Sequence, residues 1–281
     1  HVEIAILGAG FAGSLLAMLL RKIGRVPILI ERDAHPRFAI GESSTPLANL
    51  SLERLCRTYD LPVILPLCKY GSWQQSHPEL VCGLKRGFSF FKHRAQQEFA
   101  ARPDHANELL VAASPSDEVG DTHWYREHFD FFHLQEAQKL QIPYYDVVQI
   151  EAIEHKDGWL LQGKQQEQEL EFRARFLIDA TGATSVLAKT LGIACSPQGL
   201  KANTWSVYSH FHGIELWENL LGEMGADVSD HPYRCDDAAL HHIFDDGWMW
   251  VLRFNSGLTS AGLVINAERN PLGYSTEPEE L

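Results

Sequence analysis

The sequence predicts an α/β fold in which a Rossmann-like domain is interleaved with an antiparallel β-sheet. Three observations carry this. The chain opens on strand, glycine-rich turn, helix and second strand. A buried strand ending in an acidic, glycine-containing turn follows near residue 179. Beyond residue 239, three strand patterns are joined by short turns.

Val2 to Leu7 alternates apolar, β-branched positions and reads as a short buried strand. It runs into Gly8-Ala9-Gly10-Phe11-Ala12-Gly13, then Leu15, Leu16, Leu19 and Leu20 at helical spacing, with Gly24 as the stop. A second strand, Val26 to Ile30, ends on Glu31, 18 residues past the third glycine. In this context each glycine has a physical role: Gly8 permits the tight turn, Gly10 lets backbone approach a pyrophosphate, and Gly13 lets helix and strand touch. The diphosphate would sit on the helix N-terminus, and Glu31 would accept hydrogen bonds from ribose hydroxyls. The next loop, Gly41-Glu42-Ser43-Ser44-Thr45-Pro46, feeds a second helix, with Thr45 as N-cap and Pro46 at its first position.

Gly83 to Phe91 is aromatic and strand-like, and residues 95 to 121 are polar and read as a long loop or lid. Trp124 to Leu140 reads as a helix with Phe132, Leu134, Ala137 and Leu140 inward. Strands follow at Val147 to Ile153, Trp159 to Gln162 and Leu170 to Phe172, the first two linked by a Lys156-Asp157-Gly158 hairpin turn. Arg175 to Gly182 gives a buried strand and tight turn, with a helix from Thr184 to Leu191. Trp205 to Phe211 alternates. Leu240 to Phe244, Trp248 to Phe254 and Leu258 to Ile265 then form an antiparallel meander.

With 24 Lys+Arg against 37 Asp+Glu, the formal charge of −13 argues against a broad nucleic-acid or anionic-lipid surface. The apolar run Leu15 to Leu20 is far short of the roughly 20 residues of a membrane span. A cytoplasmic protein is expected, with its five scattered cysteines (Cys56, Cys68, Cys82, Cys195 and Cys235) reduced. His210 with His212, and the pair His241-His242, have no third ligand at convincing spacing, so no metal site is expected. No GxSxG elbow or P-loop supports a hydrolase or nucleotidase.

The run Gly8 to Gly13, Glu31-Arg32, Arg37 and Gly41 to Pro46 resembles FAD-dependent oxidoreductases of the flavin-dependent (tryptophan) halogenase family. More distantly it is similar to p-hydroxybenzoate hydroxylase-type flavin monooxygenases. The resemblance implies FAD as cofactor and a Rossmann-like FAD-binding domain interleaved with an antiparallel substrate-side β-sheet. It assigns cofactor contacts to Gly8, Gly10, Phe11, Ala12, Gly13, Glu31, Arg32, Arg37, Gly41, Glu42, Ser43, Ser44, Arg126, Asp179 and Gly182. Residues 1–70 and 123–195 would bind FAD, residues 71–122 and 196–270 would form the substrate side, and 271–281 would begin a C-terminal part not present in the chain. The sole Gly-Asp pair, Gly120-Asp121, lies in the polar loop, out of place for the family's second FAD motif.

Lys85 resembles the lysine that handles hypohalous acid in these halogenases. Trp248-x-Trp250 resembles their WxWxIP signature but departs from it at Leu252 and Arg253. The implied function is therefore an FAD-dependent oxidoreductase, read first as a monooxygenase acting through a flavin hydroperoxide on a small organic substrate. The alternatives are a halogenase using Lys85, a dehydrogenase or reductase on the same scaffold, and a non-catalytic flavin-binding or interaction scaffold. The expected partners are an aromatic or carrier-tethered small molecule and a separate flavin reductase, with neither nucleic acid nor a membrane span.

Overall fold

Each of the two halves of the fold is assembled from non-contiguous stretches of the chain. The computed structural model describes residues 1–94, 96–194, 196 and 198–269, so Cys195 and the expected C-terminal start at 271–281 lie outside the described residues. In chain order the elements are β1 (Val2–Leu7), α1 (Phe11–Lys22), β2 (Pro27–Ile30), α2 (Pro46–Thr58), α3 (Tyr70–Ser76), β3 (Cys82–Lys85), β4 (Gly87–Lys92), β5 (Glu108–Ala112), β6 (Asp121–Trp124) and α4 (Arg126–Lys139). They continue with β7 (Tyr144–Tyr145), β8 (Val148–His155), β9 (Trp159–Gln165), β10 (Gln168–Asp179), α5 (Val186–Thr190), β11 (Thr204–His212), α6 (Trp217–Glu223), β12 (Ala239–Phe244), β13 (Gly247–Arg253) and β14 (Leu258–Asn266).

The first unit comprises His1–Glu42, Leu50–Pro66 and Tyr125–Ser196. Its six-stranded sheet has the order β7-β2-β1-β10-β9-β8. The four strands from β7 to β10 run parallel, while β9 and β8 continue antiparallel. Every residue of β2 is buried, as expected of a parallel strand covered on both faces. Ala5, Leu7, Ile28, Ile30, Leu161 and Phe172 form the core of this sheet, and α1 packs on α4 through Phe11 and Phe129, ring centroids 5.8 Å apart. The two strands expected at 170–172 and 175–179 are one strand. β10 pairs antiparallel with β9 up to Ala174, then parallel with β1 from Ala174 to Asp179, so two partners in succession keep it extended. The expected hairpin turn is present, with Asp157 and Gly158 both at positive φ.

The second unit comprises Ser43–Asn49, Leu67–Trp124 and the described residues from 198 to 269. Its main sheet has the order β11-β14-β13-β12-β4-β5. The expected meander β12-β13-β14 forms, but the sheet is not wholly antiparallel: β4 runs parallel to β12, with Phe88 opposite Ala239. The stretch 83–91 divides at Arg86, whose N–H is held by the carbonyl of Asp237 and whose carbonyl accepts from Ala113 and Ser114. β3 therefore pairs with β6 in a separate two-stranded sheet, and β4 enters the main one.

Two sequence expectations are corrected here. The polar stretch 95–121 contains an edge strand, β5, because Leu109, Leu110 and Val111 supply a short apolar run that pairs with β4. Trp124 ends β6 rather than opening a helix, and α4 begins at Arg126. Phe91, Leu221, Cys235, Leu240 and Val251 form the core, with Trp217 of α6 against it. The four described cysteines, Cys56, Cys68, Cys82 and Cys235, are all buried. No helix among the described residues is long and apolar enough to cross a membrane.

Candidate functional site

A cavity of about 600 Å³ opens in the first unit where β1 and β10 end, the position at which open parallel sheets bind ligands. Of the residues singled out in the sequence, Gly8, Gly10, Phe11, Ala12, Glu31, Arg32, Arg37, Arg126 and Gly182 line it, whereas Gly13, Gly41, Glu42 and Asp179 do not. Sequence reasoning missed the wall made by Val148, Gln149 and Ile150 of β8. That pattern looks like any half-buried strand, and only the β10-β9-β8 pairing brings it to the cavity.

Gly8 and Gly13 perform the structural tasks their spacing predicts. Gly8 has φ +97°, and a Cβ there would press into the carbonyl of Ala180. A Cβ at Gly13 would press into the carbonyl of Gly8, so α1 rests directly on the turn. Gly10 is the N-cap of α1 and no side chain caps the helix start. The first-turn N–H groups and the helix dipole make this an end that favours negative charge.

Glu31 is more occupied than the sequence suggests. Its Oε2 accepts from the N–H of Ala9 (2.8 Å) and from Arg37 Nη2 (3.3 Å), and its Oε1 accepts from the N–H groups of Arg32 (2.8 Å) and Asp33 (3.1 Å). Burial pushes the carboxyl up, but the His35 imidazole 3.9 Å away, the two backbone donors Ala9 and Asp33, and the Arg37 charge outweigh it and hold the group down at about 2. Glu31 is thus a permanent anion that fixes the glycine loop to the end of β2.

Arg126 stands at the first turn of α4, where the helix dipole disfavours a cation. Asp130, one turn on and fully buried, answers it with a bidentate pair, Nε to Oδ1 at 2.7 Å and Nη2 to Oδ2 at 2.9 Å. Its Nη1 donates to the carbonyls of Ile40 (2.7 Å) and Gly41 (3.2 Å), and its guanidinium lies 4.8 Å over the Phe11 ring. Gly41 has φ +95°, and a Cβ there would approach that guanidinium. Asp179 serves its own turn: Oδ1 accepts from the Thr181 N–H at 2.9 Å and Oδ2 from the Leu187 N–H at 2.8 Å. Burial raises its carboxyl, yet these bonds and the Thr181 hydroxyl bring it below the usual range.

In the second unit, Ser43, Ser44 and Lys85 come together. Lys85, 1 % exposed, donates from Nζ to Ser43 Oγ at 2.9 Å and to the Ser44 carbonyl, and Nζ stands 4.3 Å from the centre of the Phe88 ring. Ser44 Oγ donates to the carbonyl of Thr122 at 2.7 Å, pinning the loop to β6. Asp121, out of place for an FAD motif, is buried opposite Lys85 in the β3-β6 ladder and accepts from Asn49 Nδ2 at 2.8 Å. Burial pushes the Lys85 ammonium down to about 8 against the opposing pull of Asp121. The amine therefore loses its proton far more readily than an ordinary lysine, which keeps it to about 10.5, though most of it is still ammonium at pH 7.

His241 stacks on Phe90 at 4.9 Å, and His242 shares a 2.9 Å hydrogen bond with His93. Neither belongs to a metal-ligand group among the described residues. Trp250 lies against Gly262, where a Cβ would collide with its ring. Arg253, at the position where the halogenase signature has proline, donates to Asp236 Oδ1 at 3.2 Å and to the Ile214 carbonyl at 2.7 Å.

A βαβ unit with an open helix start, a close-packed third glycine and an acid at the end of the second strand defines a dinucleotide-binding protein of Rossmann-like fold. The comparisons with known proteins narrow the likeness: the chain is similar to flavin-dependent halogenases. It is 30% identical to tetracycline 7-halogenase of Kitasatospora aureofaciens over 99% of this chain and 49% of that protein. It is 28% identical to the monodechloroaminopyrrolnitrin halogenase PrnC of Pseudomonas fluorescens over 96% of this chain and 47% of that protein. Among solved structures, halogenase PltM in complex with phloroglucinol and FAD superposes with a TM-score of 0.84 at 30% identity, covering 95% of this chain and 52% of that one. The chain spans about half the length of the curated relatives it matches. No protein-family profile matches it.

Proposed function

We propose that this chain is the FAD-binding and substrate-side portion of a flavin-dependent halogenase of aromatic small molecules, with Lys85 as the amine that carries the halogen. The observation that carries the proposal is the buried Lys85, held at about 8 by desolvation, in a chain whose relatives along nearly its whole length are halogenases. Oxygenation, the first reading of the sequence, rested on the departure from WxWxIP, and the named relatives favour the halogenase alternative.

The residues present suit FAD. The uncapped start of α1 offers N–H groups to a diphosphate, and Gly10, its N-cap, brings no side chain to that start. Arg37, bonded to Glu31 through Nη2 and lining the cavity, is placed to turn toward a ribose or phosphate. When bound and reduced, FAD supplies the two electrons with which oxygen converts halide to hypohalous acid. Lys85 then acts as nucleophile: its neutral nitrogen bonds to the halogen, the oxygen–halogen bond breaks, and hydroxide leaves with the amine proton as water. Phe88 and the carbonyl of Ser44 hold the nitrogen in place, and the surrounding burial keeps its lone pair available. The resulting N–halogen bond delivers an electrophilic halogen to an electron-rich ring.

The test uses the full-length protein with FAD, a flavin reductase, NADH, oxygen and bromide, with phloroglucinol as probe. Brominated product, identified by mass, is expected from the native protein and none from Lys85→Met, whose flavin reoxidation continues. Hydroxylated product without bromination, or undiminished bromination by Lys85→Met, would overturn the reading.

A further inference from the structure

We propose that His105, Asp230 and His231 form a site for a divalent transition-metal ion of the zinc type, oriented by Glu108. One ligand atom from each of the three lies within 4.8 Å of the others. The second unit brings them together from two places: His105 precedes β5, which Glu108 opens, while Asp230 and His231 lie between α6 and β12. No local spacing links these two places, so the sequence gives no metal signature.

The arrangement of the ring nitrogens points to a ligand. Glu108 Oε1 meets His105 Nδ1 and stands 3.3 Å from His231 Nε2, so a single buried carboxylate oxygen engages one nitrogen of each ring. The other nitrogen of each ring remains. His105 Nε2 stands 3.6 Å from Asp230 Oδ2, close to the ~3.4 Å that separates neighbouring ligands around a tetrahedral zinc. His231 Nδ1 is buried without a hydrogen-bond partner, on a side chain only 7% exposed. A carboxylate behind each imidazole is the usual outer support of a histidine metal ligand, fixing the tautomer and raising its basicity.

Charge favours the same occupant. Glu108 and Asp230 contact the rings, and Asp227 interacts electrostatically with both. Three carboxylates around two imidazoles make a site that a divalent cation neutralises. Two imidazoles and a carboxylate suit zinc, cobalt or nickel better than the oxygen-seeking magnesium or calcium. Three protein ligands leave one position for water. A bound ion would join the lead-in to edge strand β5 to the segment after α6, clamping the open edge of the main sheet. This site is independent of the flavin reading.

The test uses untagged full-length protein, stripped with chelator and titrated with Zn²⁺ by calorimetry and with Co²⁺ by visible absorption. One equivalent is expected to bind, with the intense visible bands of four-coordinate cobalt and a raised melting temperature. Asp230→Asn and His105→Ala should weaken binding at least tenfold, Glu108→Gln by about 10- to 100-fold, and the pair His210→Ala/His212→Ala not at all. Absence of a stoichiometric site, binding untouched by Asp230→Asn, or loss of binding on changing His210 and His212 would overturn the proposal. Because Asp230 is 67% exposed, its variant tests the site even if a His231 variant does not fold.

Discussion

Glu31 Oε2 accepts a 2.8 Å hydrogen bond from the backbone N–H of Ala9, tying the end of the second strand to the middle of the glycine turn. Arg32 and Asp33 donate to the other oxygen, so a single side chain sets the geometry of the loop on which a diphosphate would rest. Its charge acts on the scaffold before it acts on any ligand.

Glu31→Ala is expected to lower stability by about 2–4 kcal/mol, because it strands buried backbone donors, and to weaken FAD binding with it. Urea unfolding and a flavin titration read the two effects. Since the native carboxyl titrates at about 2 against 4.5 for an ordinary glutamate, its contribution is complete above pH 4.5 and is lost as pH falls toward 2. Glu31→Gln should flatten the acid limb of the stability profile in that window.

Gly13→Ala places a methyl group against the Gly8 carbonyl, with the Ala180 methyl beside it and no flexible side chain to yield. We expect a loss of at least 2 kcal/mol and of flavin affinity, measured by thermal melting and fluorescence quenching. Gly222→Ala in α6, with open space around the new methyl, should instead stabilise by up to about 1 kcal/mol.

If the Lys85 nitrogen acts as an amine, halogenation should rise with pH to a plateau above about 8. Stability has the same sign: the unfolded lysine keeps its proton up to about 10.5, so the unfolded state binds more protons between 8 and 10.5 and the fold gains stability as pH rises. Lys85→Met should abolish both dependences.

Asp121 raises the Lys85 value against the larger effect of burial. Asp121→Asn retains an acceptor for Asn49 but removes the charge, so the pH–rate inflection is expected to move below 8. An unmoved inflection in the variant, with bromination intact, would separate Asp121 from the titration of Lys85.

What was legible in the sequence is what local geometry dictates. β1, α1 and the glycine turn follow from a periodicity and three residues without side chains, and the structure places them with little change. The site was less legible wherever a residue's partners are distant in sequence. Arg126 is identifiable as a cation at a helix start, but its bidentate link to Asp130 and its hold on Ile40 depend on how α4 meets the 40–41 loop. Asp179 reads as a ligand contact, but its bonds to the Thr181 and Leu187 N–H groups depend on how the turn and α5 fold back on the end of β10. Asp121 looked misplaced because its importance comes from facing Lys85 across a ladder that the sequence pattern merged into a loop.

The parallel pairing of Phe88 with Ala239 bears on how the molecule is made. As the chain emerges from the ribosome, β4 can meet β5 at once, but its other neighbour arrives only after Tyr125–Ser196 has been synthesised. Until then the Phe88 and Phe90 strand has an uncovered edge, and closing it spans a long loop, the kind of late, non-local step that slows folding. Expression yield should therefore respond more to slowed translation and to chaperone supply than the native stability of the protein would suggest.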